Sequence, residues 1–336
     1  MVDHARNSNG EAFSRPDSLR GVRGAGITAF SAEVGLLDLE APRLLRADEI
    51  LVDVRAAGVG HWDEIARAGG WDLGRLPPMA LGVQAAGVVA AIGRDIDEFD
   101  AGAPVLVESA PFRDQGAWAQ QFIVPASSAA ALPARVAFDT AAGFPVPALT
   151  ADQALRDGVG VSSGETVLVN GAGGVTGNLL VQFAALYGAK VVATASGQTA
   201  PRAGTCGAAL VLDYRSPDWR AQVRDWTGGK GVDAAVNAVP GKAAEVLDVV
   251  RDDGKLATIT SDPPASARGV RVREVYVSPD GARLGRLAEM LASGAVNLEV
   301  TAVYPLEAAA RALGHVRRGS RGGTIVLGFD GLDRAS

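Results

Sequence analysis

Between Ile27 and about Val124, apolar and polar residues alternate in short runs. EILVDVRAAGVG alternates most clearly, and APVLVES and AQQFIVP follow between glycines and prolines, which predicts strands. Gly82, Gly87, Gly93 and Gly102 interrupt these runs at the short intervals that a compact barrel of tight turns requires. One short helix is expected here, DEIARAGG, with Asp63 as its N-cap.

Past Val124 the period lengthens. Phe138 to Asp157 reads as a helix that Pro145 and Pro147 kink or divide. Six β-branched runs then recur at roughly 20 to 25 residue intervals: TVLVNG, AKVVATA, AALVLDY, VDAAVNAV, KLATIT and VRVREVYV. NLLVQFAALYG and KAAEVLDVVRDD fill gaps between them as helices. That rhythm predicts an α/β domain, a doubly wound parallel sheet with helices on both faces. GARLGRLAEMLASG adds a helix. The last segment, EAAARALGHVRRGSRGGTIVLGF, holds one helix and one strand, too little for a domain, and is expected to return to the first half. VRVREVYV ends the sheet as an exposed edge, which a second copy of the chain could cover as a homodimer.

At 336 residues the chain exceeds the ~250–300 at which one core stops growing, so two domains are expected. A hydrophobic share of 48% with 21% charged residues excludes a disordered chain. The net charge of −6 argues against nucleic acid as a partner. No apolar run reaches the ~18 residues that would span a membrane. MVDHARNSNGEAFSRPDSLR lacks an apolar core and reads as a flexible tail over residues 1–20. The single cysteine, Cys206, fits a reducing, cytoplasmic setting, and with three histidines it cannot complete a Cys₄ or Cys₂His₂ zinc site.

The strongest chemical signal is TVLVNGAGGVTGNLLVQFA: a strand, then Gly171, Ala172, Gly173, Gly174, Val175, Thr176 and Gly177, then an apolar helix. Glycines between a strand and a helix let the backbone approach a diphosphate, whose charge the helix N-terminal N–H groups meet. The spelling is G-x-x-G-x-x-G, with Thr176 where the more usual pattern has its third glycine. The next strand ends VVATAS, and Ser196 stands where an NAD-binding carboxylate would be. Nothing there repels a 2′-phosphate, and Arg202, six residues on, could pair with one. NADPH is therefore expected over NADH.

Taken in order, EILVDVRAAGVGHWDEIARAGG, PPMALGVQAAGVVAAIG, PALTADQAL, the glycine turn, LVLDY and GGTIVL resemble the medium-chain dehydrogenase/reductase superfamily. The likeness is to its zinc-free quinone oxidoreductase branch, to which zeta-crystallin and polyketide enoyl reductase domains are related. The resemblance implies a GroES-like barrel from residues 21–125 and 291–336, and a Rossmann NADP(H)-binding domain from residues 126–290. It places Tyr214 and Ser196 near the 2′-phosphate, Thr150 near the nicotinamide, and Ala238, Ser261 and Val277 along the cofactor groove. Zinc-dependent relatives carry cysteine in GVCH and His-Glu in GHE; here Gly60, Val83 and Gln84 occupy those positions, so no metal is expected. Zinc-free relatives usually place Asn at the Gly60 position and often Tyr at the Ile65 position, and this chain departs at both.

Hydride transfer without a metal requires close approach and a means of meeting the negative oxygen that develops on the acceptor. A quinone or other conjugated carbonyl spreads that charge; a saturated ketone does not. His61, the histidine nearest the expected cleft, is the candidate acid, with an ordinary pKa near ~6.5. Trp62 and Trp71 either line an aromatic-accepting pocket or belong to the core. The readings that follow are a quinone-like reductase, an enoyl (C=C) reductase of secondary metabolism, and a non-catalytic NADPH sensor or scaffold.

Overall fold

The computed structural model describes residues 21–329; the expected tail at 1–20 lies outside the described residues. Two sheet systems divide the chain. The first begins with β1 (Val22–Ile27) and β2 (Gly35–Leu39), followed by β3 (Glu49–Val59), α1 (His61–Arg67), β4 (Met79–Ala80), β5 (Gln84–Ile92), β6 (Pro104–Glu108), β7 (Gln121–Pro125) and β8 (Ala129–Ala131). β2, β1 and β4 form a small sheet of their own.

β3 is long enough to change partners along one edge. Its first half pairs with β7 and its second half, Ala56–Val59, with the C-terminal strand of the chain, while β5 covers its other side. Splitting one edge between two partners is what curls a sheet into a barrel. Trp118, Phe122, Ile50, Met79 and Leu81 are completely or almost completely buried inside it.

The predicted helix over 138–157 is divided as the prolines require, into α2 (Phe138–Ala142) and α3 (Pro145–Gln153), followed by a π-turn over Ala154–Gly158. From there β9 (Thr166–Asn170), α4 (Val175–Leu186), β10 (Lys190–Ala195), α5 (Ala200–Thr205), β11 (Ala208–Asp213), α6 (Trp219–Trp226), β12 (Val232–Asn237), α7 (Ala243–Leu247), β13 (Val250–Thr258) and β14 (Arg271–Glu274) alternate. The six strands pair in parallel in the order β11-β10-β9-β12-β13-β14. This is the doubly wound order 3-2-1-4-5-6, whose direction of winding reverses between β9 and β12. Val167, Val169 and Val191 pack towards α3 and α4, while Leu168 and Val192 pack towards α6 and α7.

One expected helix is shorter than its sequence pattern. KAAEVLDVVRDD is helical only to Leu247, because Val250 already pairs with Val232 as the start of β13. Cross-strand pairing overrides the local helix preference of Val249–Asp253. After α8 (Gly281–Ala292), the chain returns to the barrel with two strands rather than the one expected: β15 (Val300–Pro305) pairs with β16 (Thr324–Gly328) around α9 (Ala309–Arg318), and β16 joins β3. α9 is tied to α1 by the ion pair of Arg317 with Glu64.

Candidate functional site

At the reversal point of the parallel sheet, β9 enters α4 through the glycine turn. Gly171 has φ +93°, a backbone conformation costly for any side chain, and a Cβ there would stand 2.7 Å from Val239. A Cβ on Gly177 would lie 2.0 Å from the Gly171 carbonyl oxygen, so only glycine lets helix and turn approach this closely. Gly174 precedes α4 and offers no side-chain cap, which leaves the first-turn N–H groups to another partner. The turn thus presents backbone donors on a surface kept clear of side chains, which fits a diphosphate.

A polar network beneath the turn holds it in place. Thr194 Oγ1 donates to Asn170 Oδ1 at 2.6 Å and accepts from the Gly171 N–H at 3.0 Å. Asn170 Nδ2 donates to Asn237 Oδ1 at 2.8 Å, and Asn237 Nδ2 reaches Thr260 Oγ1 at 3.0 Å. Thr258 and Thr260 both donate to Asp262, whose carboxyl these bonds hold below its ordinary range despite its partial burial. No local pattern announces this network, because its members come from the ends of four separate strand segments.

Ser196, Tyr214, Ala238, Ser261 and Val277 follow the carboxyl ends of the parallel strands, while Thr150 and Arg202 lie on helices. Ser196 follows β10 and Tyr214 follows β11, side by side because Ala195 pairs with Asp213. Ala238 follows β12 and donates its N–H to Asn170. Ser261 follows β13 with φ +56°, and Val277, beyond β14, packs against both the barrel core and the sheet core. Thr150 lies on α3, its hydroxyl turned back onto the Val146 carbonyl at 2.6 Å.

Arg202 and Ser196 are not brought together by any described hydrogen bond. Ser196 Oγ shares a 3.1 Å contact with Thr199 Oγ1, while Arg202 is ion-paired to Glu299 at 3.3 Å. Arg215, which sequence reasoning passed over, lies over the Tyr214 ring with its guanidinium carbon 5.6 Å from the centroid.

In the barrel half, α1 begins directly after β3. The helix starts at His61, so Asp63 is its third residue and not the expected N-cap; its carboxylate reaches back to accept from the Gly60 N–H at 2.8 Å. Asp63 is 1% exposed, and burial pushes its pKa up to about 8. His61 reaches solvent, yet the protein packed around it lowers its pKa. Trp62 folds over Gly60 with its indole N–H buried and without a partner among the described residues. Trp71 is half-buried against the barrel core.

A second buried carboxyl was also missed. Glu108 pairs across the sheet with Gln84, on the barrel face that carries Leu106 and Ala86 towards α3. Gln84 Oε1 accepts from the Val146 N–H of α3 at 2.8 Å, linking barrel to helix next to Thr150. Burial raises the Glu108 pKa to about 8, and one of its oxygens has no hydrogen-bond partner among the described residues.

Comparison with known proteins places both halves. Residues 46–134 match the alcohol dehydrogenase GroES-like domain, and residues 206–327 match a zinc-binding dehydrogenase domain. Among the described residues, no three His, Cys, Asp or Glu side chains come together as a metal site. The chain is 33% identical over 305 residues to erythronolide synthase EryA2 of Saccharopolyspora erythraea, covering 86% of this chain and 8% of that one. It is 28% identical over 298 residues to the quinone oxidoreductase of Sus scrofa, covering 83% of this chain and 89% of that one. The Escherichia coli quinone oxidoreductase solved with NADPH superposes with a TM-score of 0.80 at 25% identity, over 91% of this chain and 99% of that one.

Proposed function

Because the chain belongs to the zinc-independent, quinone oxidoreductase-like branch of the medium-chain dehydrogenases/reductases, we propose that it is an NADPH-dependent reductase of quinones or other conjugated carbonyls. The observation that carries this reading is the glycine turn at the reversal point of the sheet, facing a barrel whose GVCH- and GHE-like positions hold no metal ligand.

The reduced nicotinamide supplies the hydride. The residues proposed to hold the cofactor are Gly171 to Gly177 at the diphosphate, Ser196 and Tyr214 at the 2′-phosphate, Thr150 towards the nicotinamide, and Ala238, Ser261 and Val277 along the groove. His61 is the proposed proton donor to the reduced acceptor. With its pKa held low it is mostly neutral at pH 7, so only a small protonated fraction or a water held by the ring delivers the proton. An acceptor whose anion is delocalised tolerates so weak a donor, which favours quinones and enones over saturated ketones.

A second reading, reduction of an activated C=C bond, is supported by the 32% identity over 65% of this chain to a highly reducing polyketide synthase. Loss of NADPH absorbance on mixing with a naphthoquinone, and then with a 2-alkenal, separates the two. No oxidation with either acceptor but tight NADPH binding would mark a sensor. β14, an exposed edge of the parallel sheet, is the surface through which a homodimer is proposed to form, to be tested by light scattering at micromolar concentration. Among the described residues no helix is long and apolar enough to cross a membrane, and the lone Cys206 suits a cytoplasmic enzyme.

A further inference from the structure

We propose that Arg202 binds the diphosphate of the nicotinamide dinucleotide, closing the glycine turn from the side of the C-terminal loop, and does not read the 2′-phosphate. The inference rests on the cofactor reading above and assigns this residue a different part of the ligand.

Direction is the first argument. The loop between α9 and β16 brings buried Gly322, at φ +86°, against the glycine turn. A Cβ on Gly322 would lie 2.5 Å from the Gly173 carbonyl oxygen and 3.0 Å from Arg202 Nη1. The guanidinium and the Gly173 carbonyl therefore lie on either side of the space a Gly322 side chain would need, so the Arg202 head stands close to the turn. Thr199 comes to the same turn, with its Oγ1 2.5 Å from where a Cβ on Gly173 would be.

The second argument is an unfilled donor. Arg202 Nη1 is buried and makes no hydrogen bond among the described residues, although it lies within ion-pair distance of Glu299. A buried cationic donor without an acceptor is costly, and a phosphate oxygen at the adjacent turn would satisfy it. Glu299, with 65% of its side chain exposed, is free to move into solvent when an anion takes its place. At the rim where the 2′-phosphate is expected, Arg215 beside Tyr214 already supplies a cation.

The test is calorimetric titration of the wild type, Arg202→Ala and Arg202→Gln with four probes: NADPH, NADH, ADP-ribose and adenosine 2′,5′-bisphosphate. Thermal melts are recorded alongside to establish that the variants fold. Loss of a charge-assisted contact to the diphosphate weakens NADPH, NADH and ADP-ribose by the same factor, about tenfold or more, and weakens the bisphosphate, which keeps only the adenosine-side phosphate of that bridge, by no more than this. A loss confined to NADPH and the bisphosphate would return Arg202 to the 2′-phosphate and overturn the inference, as would no loss with any probe. A wild type that binds neither dinucleotide would bring down the cofactor reading and this inference together, a result distinct from both.

Discussion

The indole of Trp62 lies across Gly60, so close that a Cβ on the glycine would stand 2.2 Å from the ring. The Gly60 backbone is extended, with φ −139°, a conformation open to any residue, so what demands glycine is the ring and not the chain. The glycine expected to depart from the family pattern at position 60 is thus matched to the side chain two residues on: the Trp62 indole occupies the space a side chain at 60 would fill.

Gly60→Asn is accordingly expected to destabilise the protein by about 1–3 kcal/mol, the usual cost of overpacking. Gly60→Asn combined with Trp62→Ala, which vacates the space, is expected to recover part of that loss. Urea unfolding of the wild type, Gly60→Asn, Trp62→Ala and the double variant measures both, and non-additivity is the signature of direct contact. Equal losses in the presence and absence of Trp62 would mean that the indole is not the obstacle.

Two of the buried carboxyls, Asp63 and Glu108, predict a pH dependence of stability. The pKa of Asp63 rises from 3.8 to about 8 and that of Glu108 from 4.5 to about 8, so between about pH 4 and pH 8 the folded state keeps protons that the unfolded chain has released. Because the folded state binds more protons at these two groups, their contribution to stability falls as pH rises through this window and levels off above it, with the lowered pKa of His61 offsetting part of the fall below about pH 6.5. Glu108→Gln, close in shape and never charged, is expected to flatten part of the slope and to raise Tm most at pH 8 to 9. Calorimetric melts of wild type and variant across pH 5 to 9 check this; parallel curves would show that Glu108 titrates normally.

Legibility in the sequence followed how local each signal was. The β9–turn–α4 unit was readable because the strand run, the glycines and the apolar helix are contiguous, and each excludes other local structures. The position of Glu108 was not: APVLVES announces a strand, but the face Glu108 shares with Gln84 depends on cross-strand register set by residues more than twenty positions away. Asp63 was correctly placed at a helix start but three positions out in role, since the N-cap is Gly60 and a carboxyl at the third helical position can reach back to the same N–H groups. The direction of Arg202 was out of reach altogether, because the loop around Gly322 that it meets lies over a hundred residues further along the chain.

His61 is expected to matter for turnover and not for cofactor affinity. Replacing it with alanine should lower kcat about tenfold or more while leaving the Kd for NADPH nearly unchanged. Since its pKa lies below the ordinary 6.5, the rate supported by the protonated ring should decline with rising pH around a midpoint below that value, and the variant should lack this phase. Steady-state kinetics from pH 5 to 8 provide the readout; an unchanged kcat in the variant assigns protonation to water.

Cofactor preference turns on the end of β10. Ser196 and Tyr214 stand on adjacent strand ends, with Arg215 over the tyrosine ring and no carboxylate at Ser196 to accept ribose hydroxyls. Asp213, the nearest acid in register, already accepts the Arg215 backbone N–H at 2.9 Å. Wild type should therefore bind NADPH about tenfold or more tightly than NADH, because a 2′-phosphate gains a cation and a hydroxyl and meets little repulsion. Ser196→Asp sets a like charge against that phosphate and offers the ribose hydroxyls an acceptor, so it should weaken NADPH and strengthen NADH. Arg215→Ala should weaken NADPH alone. Titrations of both variants with both dinucleotides distinguish the two effects, and equal affinities in the wild type would remove the basis for assigning the 2′-phosphate to this rim.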